Sequence, residues 1–538
     1  MKAYSTQNIR NVVLLGSTKS GKTTLSEAML YEGKVIDRRG TVEGKNTVSD
    51  NAEIEQINQR SVYATPLYAE FMDTKFNIID TPGADDFVGG AVSAFKVCDL
   101  GVLVVNAQQG VEVGTQIYAR YAKNYHIPLV VAVNQLDGEK ASWETTLESM
   151  KEAFGNKPVV VQYPVTVGPE FDGFIDVLKM KYYRFEGDTG KRQDLEIPAD
   201  LLEEAEELRN QLIERAAEYD DTLMETFFEQ GVLSEDEIRK GLGIGIRQGD
   251  VMPVFCLSAK KDIGVKRLME FTIRTAASPA ERPCVTKDGK TYECKQDAPV
   301  SLFIYKTAVE QHLGEVAYFK VMTGELTEGV DLENPETGDK ERITAIYAVA
   351  GKKKEKVTDL KAGDIGCTVK LRAAKTNVTL CAPGADIAYK EIEFPHYKYR
   401  CAVKAKDAKD EEKVSEAMAK IAAEERPSPM TICTRGGVSM TPLMALALCS
   451  SKHRPKSGRV RYSSLSLHLV LVGSRSCSLA KSASSSDHTA SWAAAWSARK
   501  RSMVNVLYRG PARPEPKRAG VFIFILRNFS PSTGLSTK

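Results

Sequence analysis

The sequence predicts an α/β chain: a mostly parallel, doubly wound sheet at the front, a β-barrel behind it, and then the opening of an α+β unit. Three observations carry this. Short apolar runs alternate with stretches of helical period through the first third of the chain. From about Val300 to Leu371 the pattern turns β-rich with Gly-centred turns. One more strand and one more helix follow near residue 400. A chain of 538 residues exceeds one hydrophobic core and suggests roughly three domains.

The apolar runs are Val12-Val13-Leu14-Leu15, Phe76-Asn77-Ile78-Ile79, Gly101-Val102-Leu103-Val104-Val105, Leu129-Val130-Val131-Ala132-Val133 and Val254-Phe255-Cys256-Leu257. Between the fourth and fifth lies an insert, about residues 165–245, too long for a loop and therefore a folded subdomain. Inside it Leu201, Ala205, Leu208, Leu212 and Ala216 keep helical spacing, and Ser234 with Glu237 forms a capping box. Residues 1–282 make the first domain on this reading. The barrel spans 288–392, with Gly314-Glu315-Val316-Ala317-Tyr318-Phe319 and Ala362-Gly363-Asp364-Ile365-Gly366 as examples of its pattern. Tyr399 to Val403 reads as a strand and Asp410 to Glu425 as a helix, an incomplete ferredoxin-like start over 396–427.

Composition removes several classes. No stretch approaches the roughly 18 to 20 apolar residues a membrane span needs, and Val521 to Leu526 is far too short. The N-terminus lacks the charged, apolar, small-residue order of a secretory signal, so a cytoplasmic chain is expected. The cysteines, scattered singly from Cys98 to Cys477 without CxxC pairs or histidines at zinc spacing, read as reduced structural thiols. The net charge of +2 hides a split, about −13 over residues 1–427 and about +15 over 428–538.

That last segment is rich in Ser and Arg, with Asp487 and Glu515 its sole acids. Ser482-Ala483-Ser484-Ser485-Ser486 and Arg499-Lys500-Arg501 show neither helical nor strand period, the composition of disorder. It reads either as a basic tail contacting RNA phosphates or as out-of-frame translation of a longer gene. The second is favoured because the composition changes in mid-domain rather than at a linker.

Four motifs carry chemistry. Gly16-Ser17-Thr18-Lys19-Ser20-Gly21-Lys22-Thr23 fits GxxxxGK[ST] after a predicted strand and before a helix opening at Thr24. Such a P-loop wraps phosphates with backbone N–H groups, reaches the β/γ oxygens with Lys22, and offers the Thr23 hydroxyl to Mg²⁺. Asp80-Thr81-Pro82-Gly83 ends a strand, where Asp80 can hold the Mg²⁺ shell and the Gly83 N–H can sense a γ-phosphate. In Asn134-Gln135-Leu136-Asp137, Asp137 can accept both N–H donors of a guanine edge while Asn134 braces the pocket; adenine lacks that donor pair. Ser258-Ala259-Lys260 ends the last strand and can touch the base through backbone N–H. Singly the last two are ordinary loops; all four in this order specify a P-loop NTPase that binds GTP or GDP with Mg²⁺.

These motifs, the insert, the β-rich domain and the onset of a third resemble elongation factor G and its ribosomal-protection relatives over about residues 8–427. Ile197-Pro198-Ala199-Asp200 and the acidic helix after it favour factor G over factor Tu or initiation factors. The resemblance implies a monomeric, ribosome-binding GTPase whose switch loops change on hydrolysis, working without a membrane. If residues 428–538 are out of frame, the parts that act at the decoding site are missing, and the chain as written should not translocate tRNA.

Departures from that family are specific. Its His-Val-Asp-Phe after DTPG appears as Ala84-Asp85-Asp86-Phe87, so the histidine that positions the attacking water becomes a methyl group. His126, His312, His396, His453, His468 and His488 lie far off in sequence. Asp85 is a conceivable substitute, but it adds negative charge beside an anionic phosphate. The family's Arg-Gly-Ile-Thr appears as Arg60-Ser61-Val62-Tyr63, leaving a phenol where a threonine completes the Mg²⁺ shell, with Thr65 as a stand-in if the loop slips. Lys19 stands where an aspartate associates with a monovalent cation; its ammonium either takes that cation's place or is solvated. Gln135 replaces the usual lysine. The expectation is GTP binding with cleavage slow even on the ribosome, the alternatives being ribosomal protection of the tetracycline-resistance kind or a non-ribosomal GTP-binding regulatory module.

Overall fold

The computed structural model describes residues 2–187, 190–310, 313–373 and 375–395, and then 401–404, 410–424, 432–433, 439–440 and 522–525. The chain divides into two units, Met1–His396 with Ala423–Pro427, and Tyr397–Ala422 with Ser428–Lys538. In the second unit the strand Cys401–Lys404 and the helix Glu411–Glu424 stand where the sequence predicts a strand and a helix. Most of the basic segment 428–538 lies outside the described residues.

Seven strands form the central sheet of the first unit. They are β1 (Ile9–Leu15), β2 (Thr65–Phe71), β3 (Thr74–Asp80), β4 (Leu100–Asn106), β5 (Leu129–Asn134), β6 (Pro158–Val160) and, after the insert, β11 (Met252–Cys256). Their order is β2-β3-β1-β4-β5-β11-β6, parallel except for β2, which runs antiparallel to β3. The five predicted runs are β1, β3, β4, β5 and β11. The two edge strands β2 and β6 escaped the pattern because each carries a proline, which the edge of a sheet tolerates.

Continuous apolar runs arise because both faces of the sheet are covered. Val13, Leu15, Ile79, Leu103, Val105, Val131 and Val133 cluster with Val92, Tyr118 and Met150 of helices α3 (Val88–Phe95), α4 (Val113–Asn124) and α5 (Trp143–Phe154). Val12, Leu14, Ile78, Val102, Val104, Val130 and Ala132 cluster with Leu25, Met29, Leu268 and Phe271 of α1 (Lys22–Glu32) and α9 (Val265–Thr275). A short helix α2 (Glu53–Asn58) lies in the long connection from α1 to β2.

The insert is a folded subdomain. Its strands β7 (Gln162–Pro164), β8 (Gly173–Asp176), β9 (Lys181–Phe185) and β10 (Arg192–Leu195) make an antiparallel sheet in the order β10-β9-β8-β7. Helices α6 (Leu202–Ala217), α7 (Asp221–Gln230) and α8 (Glu235–Gln248) follow. Ala205, Leu212 and Ala216 are buried as their spacing requires, and the Ser234–Glu237 capping box is formed. A β-rich unit then builds an eight-stranded sheet around the antiparallel pair Ser301–Glu310 and Gly314–Thr323. Among the described residues no helix is long and apolar enough to cross a membrane. Cys98, Cys256, Cys284, Cys294, Cys367 and Cys381 are buried free thiols.

A buried polar chain joins the sheet to the β-rich unit. Lys75 Nζ meets Asp364 at 2.7 Å with both side chains almost fully enclosed. Asn77 Nδ2 donates to Asp364 Oδ1 at 3.0 Å and to Asn11 Oδ1 at 2.8 Å; Asn11 Nδ2 donates to Asp99 Oδ2 at 2.7 Å and to the Gly363 carbonyl at 2.8 Å. Lys320 Nζ closes the chain on Asp99 Oδ1 at 3.1 Å. Each charge has an opposite partner, and both amides donate within the chain, the condition under which burial of ionic groups is tolerable. Removing one side of the Lys75–Asp364 pair leaves an uncompensated buried charge. Asp364→Ala is therefore expected to cost about 3–5 kcal/mol in urea unfolding, and Lys75→Met with Asp364→Leu to recover most of it. An unchanged midpoint in the single variant would mean that the pair is not closed in solution.

Candidate nucleotide site

The P-loop occupies the turn between β1 and α1. Gly16 has φ +135°, and a Cβ there would fall 2.3 Å from the Val104 carbonyl oxygen, so no other residue fits without moving β4. Lys22 opens α1, and its ammonium donates back to the carbonyls of Gly16 (2.8 Å) and Ser17 (2.9 Å). Burial pushes this ammonium down to about 8, with Asp80 and Asp50 opposing. The Ser20 hydroxyl is enclosed without a hydrogen-bond partner. Thr18 and Thr24 are half-buried, whereas Lys19 is exposed, which favours the solvated reading of its side chain.

Beside the loop stands the end of β3. Thr23 Oγ1 donates to Asp80 Oδ2 at 2.8 Å, and Ser49 Oγ donates to the same oxygen at 2.7 Å. Asp80 Oδ1 has no hydrogen-bond partner although Asp80 is 1% exposed. Burial drives this carboxyl above its ordinary range. Gly83 lies against the P-loop: a Cβ there would meet Thr18 N at 2.5 Å and Lys22 Nζ at 2.6 Å.

On the opposite flank Asn134 ties two motifs together. Its Nδ2 donates to the Ser20 carbonyl at 2.9 Å, and its Oδ1 accepts the Ala259 N–H at 2.9 Å. Gln135 Nε2 donates to the Lys19 carbonyl at 2.9 Å and its Oε1 accepts from Asn106, so this glutamine bridges P-loop and β4. Asp137 is half-buried, Ser258 is fully enclosed and Lys260 is exposed.

The switch positions differ from the expectation in an informative way. Ala84 follows Gly83, and Tyr118 of α4 donates its hydroxyl to the carbonyls of Pro82 and Ala84, fixing the loop from beneath. His126, the one histidine among the described residues, sits in the turn between α4 and β5, where its carbonyl accepts from Arg282. Tyr63 is 40% exposed. Thr65 does not take its place: it belongs to β2 and donates to the Ser49 carbonyl at 3.2 Å. What reaches Thr23 and Asp80 instead is Ser49 and Asp50, which no motif marked, together with Ser61 from the Arg60–Tyr63 stretch. Ser61 Oγ lies 3.3 Å from Thr23 Oγ1 and its hydroxyl bonds Asp50. Burial, then the charge of Asp80, raises Asp50 to about 7. No local pattern could have found Ser49 and Asp50, because the loop that delivers them is folded onto α1 by Glu27, whose carboxylate accepts the N–H groups of Gly40 (2.8 Å) and Val48 (2.6 Å).

A separate groove of about 1030 Å³, bordered by Arg120, Lys123, Glu152, Lys157 and Arg247, holds none of the motif residues. A P-loop, a DTPG turn, an NQLD strand end and an SAK turn converging on one end of a parallel sheet, with a β-rich unit attached, define a GTP-binding protein of the translational class. The sequence profile described as elongation factor Tu GTP binding domain matches residues 7–278, and that of elongation factor G domain 2 matches residues 299–382. The crystal structure of ttk003000868 from Thermus thermophilus superposes with a TM-score of 0.72 at 27% identity, covering 80% of this chain and 63% of that one. The chain belongs to the elongation factor G family, and it spans less than two thirds of that structure's length.

Asn134 provides a check on the geometry that needs no ligand. Asn134→Ala leaves the buried Ala259 N–H and Ser20 carbonyl without this partner, so unfolding in urea should become easier by about 1–3 kcal/mol at unchanged slope. Asn134→Asp, which keeps the acceptor but not the donor, should lose part of that.

Proposed function

We propose that the chain binds GTP and GDP with Mg²⁺ in this site, acts on the ribosome as an elongation factor G-like protein of the cytoplasm, and cleaves GTP slowly or not at all. Gly16, Ser17, Thr18, Lys19, Ser20, Gly21, Lys22, Thr23, Thr24 and Gly83 would surround the phosphates. Asn134, Gln135, Asp137, Ser258, Ala259 and Lys260 would form the base pocket, and Thr23 and Asp80 would hold the cation. The donor set fits a hard divalent cation: a hydroxyl and a carboxylate, with the buried Asp80 Oδ1 still lacking a partner. Such a cation neutralises charge on the phosphate oxygens. Lys22 would supply a second positive charge to them.

One observation carries the hydrolytic half of the reading: the side chain that follows Gly83 is the methyl group of Ala84. Losing one positioned catalytic group costs about 10² to 10⁴ in rate, and Ala84 can neither orient nor polarise water. Asp85 is adjacent, yet a carboxylate brings negative charge towards an already anionic phosphate.

Single-turnover GTP cleavage, measured with and without ribosomes alongside direct nucleotide binding, tests this. Tight GTP binding without ribosome-stimulated cleavage is expected, and Ala84→His should raise the ribosome-stimulated rate by about 10²-fold or more. Brisk cleavage by the unaltered chain would mean that another group positions the water. For the base, Asp137→Ala should reduce the preference for GTP over ATP by about 10²-fold or more, read from competitive binding. An unchanged preference would remove Asp137 from the pocket.

A further inference from the structure

The connection from α1 to β2 is clamped by side-chain carboxylates at both ends, and it carries a second buried carboxylate, Asp50. Glu27 clamps Gly40 and Val48 at one end, and Glu55 Oε1 accepts the N–H groups of Val62 (2.9 Å) and Tyr63 (3.0 Å) at the other. The β-rich unit closes over the loop: Lys306 Nζ donates to the Ala64 carbonyl at 2.7 Å, and a Cβ on Gly351 would strike the Val48 carbonyl at 2.2 Å. Between these clamps Ser49, Asp50 and Ser61 converge on Thr23 and Asp80.

Two carboxylates thus share one enclosed space. Asp50 is 5% exposed and Asp80 1%, and each keeps its Oδ1 without a hydrogen-bond partner. The Lys22 ammonium beside them is occupied with the carbonyls of Gly16 and Ser17. Buried carboxylates with open lone pairs, flanked by the hydroxyls of Thr23, Ser49 and Ser61, form an oxygen-only donor set that calls for a hard cation.

We propose that Asp50 is a direct ligand of the divalent cation bound with the nucleotide, taking the role lost where Tyr63 stands in place of a threonine. The proposal rests on the nucleotide-binding reading above. A threonine hydroxyl is a neutral ligand, whereas the Asp50 carboxylate adds a negative charge of its own to the shell. The loop is then tied to the cation with GDP as well as with GTP, and its position reports the cation rather than the γ-phosphate.

The test uses the whole chain with Mn²⁺ as the probe, followed by electron paramagnetic resonance in the GDP complex. Asp50→Asn should weaken Mn²⁺ binding to the GDP complex by about 10-fold or more. An unchanged Mn²⁺ affinity in that variant, with GDP bound, would overturn the proposal and leave the nucleotide site intact. Absence of GDP binding by the unaltered chain would instead defeat the nucleotide reading and this inference with it. A second measurement needs no variant: tryptic cleavage at the exposed Lys45 and Arg60 should be slowed equally by Mn²⁺ with GDP and by Mn²⁺ with a non-hydrolysable GTP analogue. Protection that appears with the GTP analogue alone would also overturn it.

Discussion

Asp80 lies at the end of a strand whose beginning is fixed by the enclosed Lys75–Asp364 pair, so β3 is held by an ion pair at one end and by hydroxyl hydrogen bonds at the other. At one end Lys75 and Asn77 reach across to the β-rich unit; at the other, Asp80 receives hydroxyls from Thr23 and Ser49. Paired buried charges make poor stabilisers but strict positioning devices, since any slip of β3 would leave an ion without its partner. The candidate site therefore inherits its geometry from an interface about one strand length away.

That constraint also explains why the β-rich unit belongs to the site although it supplies no motif. It carries Asp364 and Lys320, which complete the chain through Asn11, Asn77 and Asp99. It also presses on the loop before β2 through Gly351 and Lys306, and on β2 itself through the Tyr68–Glu355 hydrogen bond of 2.7 Å. A loop with few apolar side chains is kept closed by captured N–H groups, with Glu27 and Glu55 acting as the captors.

Chemically the site is lopsided. The motifs proposed for phosphate and base are cross-braced, Asn134 and Gln135 stitching the P-loop to its neighbours. The position that would handle water holds Ala84, and the loop that would complete the cation shell brings Asp50 rather than a threonine. Binding and cleavage draw on different groups, so a chain can keep one while losing the other.

The sequence by itself determined the parallel sheet, the order of the motifs on its strand ends, the inserted subdomain and the β-rich unit behind it. Those features are written in local period and in short contiguous motifs: β1, β3, β4, β5 and β11 are apolar runs, and the capping box at Ser234 is complete within four residues. The edge strands β2 and β6 were not legible, because neither carries a long uninterrupted apolar run. Nor were Ser49 and Asp50, or the part Ser61 plays, all of which gain their meaning from long-range contacts with Thr23 and Asp80. Thr65 shows the same limit from the other side: its spacing suits a stand-in for Tyr63, but pairing of β2 with β3 spends it on the Ser49 carbonyl. Only tertiary structure decides such cases, since which oxygens face one another across tens of residues is set by the packing of the sheet and not by the local order of the chain.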